Sequence, residues 1–338
     1  WGIPYLVTVI ISVLLIWIYT NKGGIKTIIW TDTLQTAFML GSVFLTIYML
    51  SDLMNLSEAG GVIETIKTSS YSQIFFFDDI NGSNHFLKHF LGGIFITVGM
   101  TGLDQDMMQK NLSCKNSKEA QKNMLSMAAV LVVVNLVFLS LGALLYIYAG
   151  QTGIGADVKP DMLFAEIALH ENTGTFIGIL FLLGVIAAAY SSADSALTAL
   201  TTSFCVDLLE VEKMEDRTAV KTRKWVHIGF SIVLLFTILL FKELDKGSVI
   251  KEIFVAAGYT YGPLLGLFAF GLFTKWKIQD KLVPIVALVS PIICYFLKQN
   301  SEEWFGYEFG FELLILNGIF TFIGLLILVK KDKSPVLV

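Results

Sequence analysis

The chain has 338 residues, of which 55% are hydrophobic and 15% charged, with a formal net charge of −4 and a mean hydropathy of +0.70. A soluble domain covers its surface with about a quarter charged residues, so an ordinary water-soluble fold is excluded. The acidic balance offers nothing to nucleic acid.

The charges cluster between apolar runs of about 18–25 residues, enough to cross roughly 30 Å of hydrocarbon as helix. Lipid gives backbone groups no partner, so such runs must be helical. The expected fold class is all-α: a polytopic membrane protein with about nine spans. These lie near Ile3–Tyr19, Thr33–Leu53, Phe86–Leu103, Met124–Ala149, Phe176–Leu209, Trp225–Phe241, Val249–Phe273, Lys281–Leu297 and Phe309–Val329. Trp1, Trp30, Trp225, Trp276 and Trp304 sit near span ends, as interfacial anchors do. Alternate loops divide the basic residues unevenly, with 17 Lys and Arg in one set, beginning with Lys22 and Lys26, and seven in the other. The rich set is expected to be cytoplasmic, which puts residue 1 outside and the C-terminus inside a cell (inner or plasma) membrane. An apolar start without a basic leader suggests that an N-terminal part is missing.

The link between the first two spans, which holds Lys22 and Lys26, is expected to be cytoplasmic. Asp32 opens the second span behind Thr31, where an acid can simply cap a helix. Glu58–Ser70 and Pro160–His170 read as short amphipathic helices in outer loops. His85 and His89 have i, i+4 spacing, but two ligands alone do not make a metal site, and solvent-facing histidines are expected there. The third span is short and broken by glycine, with Gly92-Gly93 followed by Thr97-Val98-Gly99-Met100-Thr101-Gly102. Discontinuous transporter helices have this pattern, although close helix crossings also favour glycine.

The fifth span is the most informative. In Ala188-Ala189-Tyr190-Ser191-Ser192-Ala193-Asp194-Ser195, the Ala188 carbonyl and the Ser191 and Ser192 hydroxyls are three and four residues apart and face one point. Uncharged oxygens of this kind suit a hard, weakly bound cation such as sodium; a small-residue packing seam has the same composition. Asp194 is either a functional acid inside the membrane or the cytoplasmic end of an overlong helix. The three cysteines, Cys114, Cys205 and Cys294, have no metal spacing and read as packing residues. No Gly-x-x-x-x-Gly-Lys-Ser/Thr loop and no His-Glu-x-x-His occurs, so the sequence reads as no enzyme.

Three ordered motifs resemble the sodium/solute symporter family, whose members include the sodium/glucose cotransporters. They are Gly23-Gly24 through Trp30-Thr31-Asp32 to Gln35; Asp104-Gln105 through Gln109-Lys110-Asn111-Leu112; and Ala188 through Ser191-Ser192-Ala193-Asp194-Ser195 to Asp207. The resemblance implies a leucine-transporter-like core of two inverted five-helix repeats. The whole chain, 1–338, would be a single transporter domain lacking the first three core helices. Residues 1–53 would end the first repeat, 86–273 would form the second, and 281–329 would add two accessory helices. It also implies Na+ as coupling ion, with Ala188, Ser191 and Ser192 as ligands opposite the absent broken helix. Asp32 and Ser195, with Asp194 where other members have a serine, match a possible second ion position. Thr97, Met100 and Thr101 match the substrate-facing stretch. Near Met100, Leu131 and Val255 the groups of the family's sugar carriers are missing, which argues against a galactose-like solute.

The expected function is therefore sodium-coupled symport of a small organic solute by alternating access. The partners are that solute and the lipid bilayer, and no obligate protein partner is evident. A symporter-like sensor domain, a proton-coupled transporter and a channel are the alternatives.

Overall fold

The computed structural model describes residues 4–58, 60–155, 158–244 and 249–330. Eleven α-helices are described in chain order: α1 Tyr5–Leu53, α2 Gly61–Thr68, α3 Phe86–Thr97, α4 Gln105–Leu112, α5 Ser117–Thr152, α6 Leu163–Leu169, α7 Thr175–Ser203, α8 Asp216–Leu244, α9 Val249–Phe273, α10 Val283–Phe305 and α11 Leu313–Ile327. Among the described residues the one β feature is an isolated bridge between Ile278 and Val329. Among the described residues seven helical segments are long and apolar enough to cross a membrane: Asp32–Leu53, Phe86–Leu103, Ser117–Thr152, Thr175–Leu208, Asp216–Glu243, Glu252–Phe273 and Asp280–Phe305. Tyr5–Ile18 and Leu313–Ile327 are apolar but shorter. Their outer faces suit lipid, with Leu139 68%, Phe236 65% and Phe273 77% exposed.

One expectation is corrected at the start of the chain. The backbone stays helical through residues 19–31, where a loop is expected between two spans. That stretch contains no proline, and each of its two glycines costs a helix only about 1 kcal/mol, so the hydrogen-bond ladder persists. The side chains of residues 19–31, including Lys22, Lys26 and the first part of the motif, lie outside the described residues, as do Trp1 and the terminal 331–338.

The described residues form two compact units. The first comprises the chain up to Ser72 together with Gln109–Ser248. Its core gathers Val43 and Leu50 of α1, Leu141, Leu144 and Tyr148 of α5, and Leu163 and Ile167 of α6. The predicted outer-loop helices are present as α2 and α6, the latter preceded by a 3-10 turn, Pro160–Met162. Thr173 ties the end of α6 down, its hydroxyl donating to the Ile167 carbonyl at 2.6 Å. α7 packs along α1. At Gly184 a Cβ would lie 3.6 Å from the Met39 Cα, so the two backbones meet there with no side chain between them.

The second unit comprises Gln73–Met108 and the chain from Val249. α9 and α11 are pressed together: a Cβ on Gly262 would meet Asn317 at 2.5 Å, and one on Gly266 would meet the Gly318 carbonyl at 2.5 Å. Pro263 lies inside α9 and has no N–H to give the Tyr259 carbonyl one turn earlier. Asn317, fully buried on α11, fills that gap. Its Nδ2 donates to the Tyr259 carbonyl at 3.0 Å and to the Gly258 carbonyl at 3.1 Å. Ser290 of α10 donates to the Asn317 Oδ1 at 2.6 Å. A neighbouring helix thus satisfies the group that proline frees.

His85 departs from the solvent-facing expectation. It is 6% exposed, its Nδ1 accepts from the Leu87 N–H at the start of α3, and its ring meets Phe77 edge-on. Lys88 is also buried, donating to the Asn81 and Glu308 carbonyls at 2.9 Å each and lying over the Tyr307 ring. Tyr307 donates to the Glu312 Oε1 at 3.0 Å. Burial first, then that carboxylate, pushes the phenol up to about 12.

Candidate ion and solute site

The middle of α7 carries the polar groups predicted for an ion. Ser191 is 5% exposed, Ala188 is half-buried and Ser192 is exposed. The Ser191 hydroxyl donates to Oδ1 of Asp32 on α1. A hydroxyl donating in this contact directs its proton at Asp32. A hydroxyl has one donor and two acceptor lone pairs, so with its proton turned to Asp32 the Ser191 oxygen offers only lone pairs to the other side. Ser191 and Ser192 follow Ala188 by three and four residues, so each neighbours Ala188 on the helix surface, Ser191 on its buried side and Ser192 on its exposed side. Among the described residues no three His, Cys, Asp or Glu side chains converge as a metal set. The donors on α7 are hydroxyl and carbonyl oxygens, which suit hard cations.

Asp32 is not a helix cap. It lies well inside α1, and its side chain reaches across to α7 and to α4. Its Oδ2 lies 2.9 Å from the Lys110 ammonium, each side chain 29% exposed. The same ammonium donates to the Ser195 hydroxyl at 3.2 Å. Ser195 is 5% exposed and Asp194 only 2%, which removes the reading of Asp194 as an acid in cytoplasmic water. The Asp194 Oδ1 accepts from Thr198 one turn on, at 3.4 Å. Asp32, Ser191, Ser195 and Lys110 therefore form one connected group.

Lys110 is the member that sequence reasoning did not place. It falls in the second family motif and among the basic residues of the Lys- and Arg-rich loops, and nothing in its neighbourhood points to residue 32. The available signal was Asp32 itself, since an acid in an apolar span calls for a cationic partner.

Thr97, Met100 and Thr101 belong to the second unit. Thr97 is exposed and donates back to the Gly93 carbonyl at 2.8 Å; Met100 is 41% exposed and Thr101 half-buried. The expected interruption is present. α3 passes into a π-helical turn, Val98–Leu103, and Asp104 then adopts an extended backbone, with φ −76° and ψ 129°. The Asp104 Oδ1 accepts from the Met107 N–H at 3.1 Å and starts α4. Gly99 faces Tyr261 of α9 at a distance that leaves space for no large side chain. A π turn takes backbone groups out of the regular ladder, so this stretch presents both side-chain and main-chain polar groups.

With this geometry in view, a family model described as the sodium:solute symporter family matches residues 1–280. The chain belongs to the sodium:solute symporter family. It is 25% identical to the sodium/sialic acid symporter SiaT of Proteus mirabilis (strain HI4320) over 317 residues, covering 89% of this chain and 61% of that protein. It is 28% identical to sodium-coupled monocarboxylate transporter 2 of Bos taurus over 275 residues, covering 77% and 43% respectively. A solved structure of a Na+-coupled sialic acid symporter, substrate-bound and outward-open, matches with a TM-score of 0.70 at 21% identity, covering 96% of this chain and 66% of that one. That likeness carries the fold. The chain spans about two fifths to two thirds of the length of these relatives.

Proposed function

We propose that this family member works in a protein that couples sodium entry to uptake of a small organic solute by alternating access. Sodium would bind at the Ala188 carbonyl and the Ser191 and Ser192 hydroxyls. The observation that carries this reading is the orientation of Ser191, whose proton is held by Asp32 and whose lone pairs are left for a cation. The negative charge behind that hydroxyl polarises it and makes its oxygen a better ligand. Ser192 opens onto the surface of its unit, so water or groups outside the described residues would complete the coordination shell.

Thr97, Met100 and Thr101 on the broken helix would contact the solute. The relatives are named for sialic acid and monocarboxylates, and both carry a carboxylate, so we take the solute to be a small carboxylate. Residue 1 would lie outside and the C-terminus in the cytoplasm, with residues 1–53 ending one inverted repeat and 86–273 forming the other. Sodium can drive a conformational change only by binding one state better than another. A ligand set with one partner exposed on α7 meets this requirement if its remaining ligands move.

The test is uptake by the full-length protein in proteoliposomes. Ser191→Ala and Ser192→Ala should each raise the sodium needed for half-maximal uptake about tenfold, equivalent to about 1.4 kcal/mol of lost binding. An unchanged sodium requirement in both variants would remove the site. Collapsing the sodium and proton gradients separately identifies the coupling ion.

A further inference from the structure

The Asp32–Ser195 position, which the sequence leaves as a possible second ion site, already has a cation beside it. The Lys110 ammonium lies 2.9 Å from the Asp32 Oδ2 and 3.2 Å from the Ser195 hydroxyl. We infer that Lys110 is the resident cation of this position: its ammonium holds the oxygens of Asp32 and Ser195 that an inorganic ion would need, so no second sodium is carried there.

Three observations carry this. First, the ammonium and Asp32 cancel in charge, so an entering sodium would have to displace a covalently tethered competitor whose local concentration never falls. Second, the ammonium takes one oxygen from each of two helices, α1 and α7, as a bridging metal ion would. A lysine is a compact point charge with three donors and needs no planar, two-toothed geometry to do so. Third, Asp32 is divided between two tasks. Its Oδ1 orients Ser191 at the proposed sodium site while its Oδ2 is held by Lys110. The lysine therefore fixes the carboxylate in the rotamer that presents the Ser191 lone pairs, and it acts as a positioning residue for the ion as well as a substitute for a second one.

The inference rests on the sodium site proposed above, but the two can fail separately. Equilibrium binding of radioactive sodium to the purified full-length protein counts ions directly. Lys110→Gln should bind one more sodium per protein than the unmodified protein, and the Hill coefficient for sodium activation of uptake should rise by up to one. Lys110→Arg, which keeps the charge, should leave the count unchanged. The double variant Asp32→Asn with Lys110→Gln should also gain no ion, because it removes the carboxylate that an added ion would need. A gain of one ion specific to Lys110→Gln supports the inference whatever the starting count, even if that count is zero and the Ala188–Ser192 site has failed. The inference is overturned if folded Lys110→Gln gains no ion, or if Asp32→Asn with Lys110→Gln gains one as well.

Discussion

The contact between Asn317 and the α9 kink offers a sharp test of the packing argument. Pro263 leaves the Tyr259 carbonyl without its helical donor, and the Asn317 Nδ2 supplies one at 3.0 Å. Asn317→Leu keeps the approximate shape but removes that donor, and Asn317 is fully buried, so water cannot replace it. An unsatisfied buried carbonyl costs about 1–3 kcal/mol. Measured side-chain hydrogen bonds inside membrane proteins sit lower, averaging about 0.6 and reaching about 1.7 kcal/mol, so a loss of about 1.5 kcal/mol is the expectation. Pro263→Ala restores the missing N–H, and in that background the carbonyl no longer depends on Asn317. The same leucine substitution should then cost about 1 kcal/mol less. The assay is a double-mutant cycle on reversible unfolding in mixed detergent micelles. Equal costs in both backgrounds, within about 0.3 kcal/mol, would show additivity and refute the idea that Asn317 is there to serve the proline.

Other expectations follow from the same coordinates. Gly266→Ala would place a methyl 2.5 Å from the Gly318 carbonyl and 2.6 Å from the Thr321 Cβ. α9 and α11 must part, at a cost of about 1–3 kcal/mol. Gly271→Ala, with nothing within 4 Å, should be neutral or slightly stabilising, and thermal unfolding compares the two. The Tyr307 phenol is raised to about 12, so the stability it contributes is fully present below its ordinary value near 10. That stability is lost as pH rises from about 10 to 12. Ultraviolet titration should show a phenolate that appears late and is missing in Tyr307→Phe, which should also lose less stability over that interval.

How far the molecule could be read in advance depended on whether the signal was local. The short helices α2 and α6 and the break before α4 were legible because amphipathic spacing, glycine and an aspartate at a helix start all act within a few residues. The helical link through 19–31 was not, because Asn21, Gly23 and Gly24 favour turns without forbidding helix. His85 looked solvent-facing because its neighbours are polar; its burial comes from capping α3 and from Phe77, which the flanking residues do not reveal. At the proposed ion site the face of α7 could be read from its three- and four-residue spacing. The approach of Asp32 to α7 was legible only through the family resemblance, and that of Lys110 was not, since residues 32, 110 and 191 meet only when three helices pack. The Pro263–Asn317 pairing was hidden for the same reason.

The close seat of α7 on α1 has a mechanical consequence. Met39 abuts Gly184, and Asp32 is bonded to Ser191. Along each helix these two fixings are seven residues apart, about 10 Å, and the order is reversed from one helix to the other. Two fastenings two turns apart suppress both sliding and swivelling, where one would still permit a pivot. The helix pair is therefore braced as a strut at these two points. In the proposed transport cycle α1 and α7 should move together, with the flexure confined to joints elsewhere in the chain.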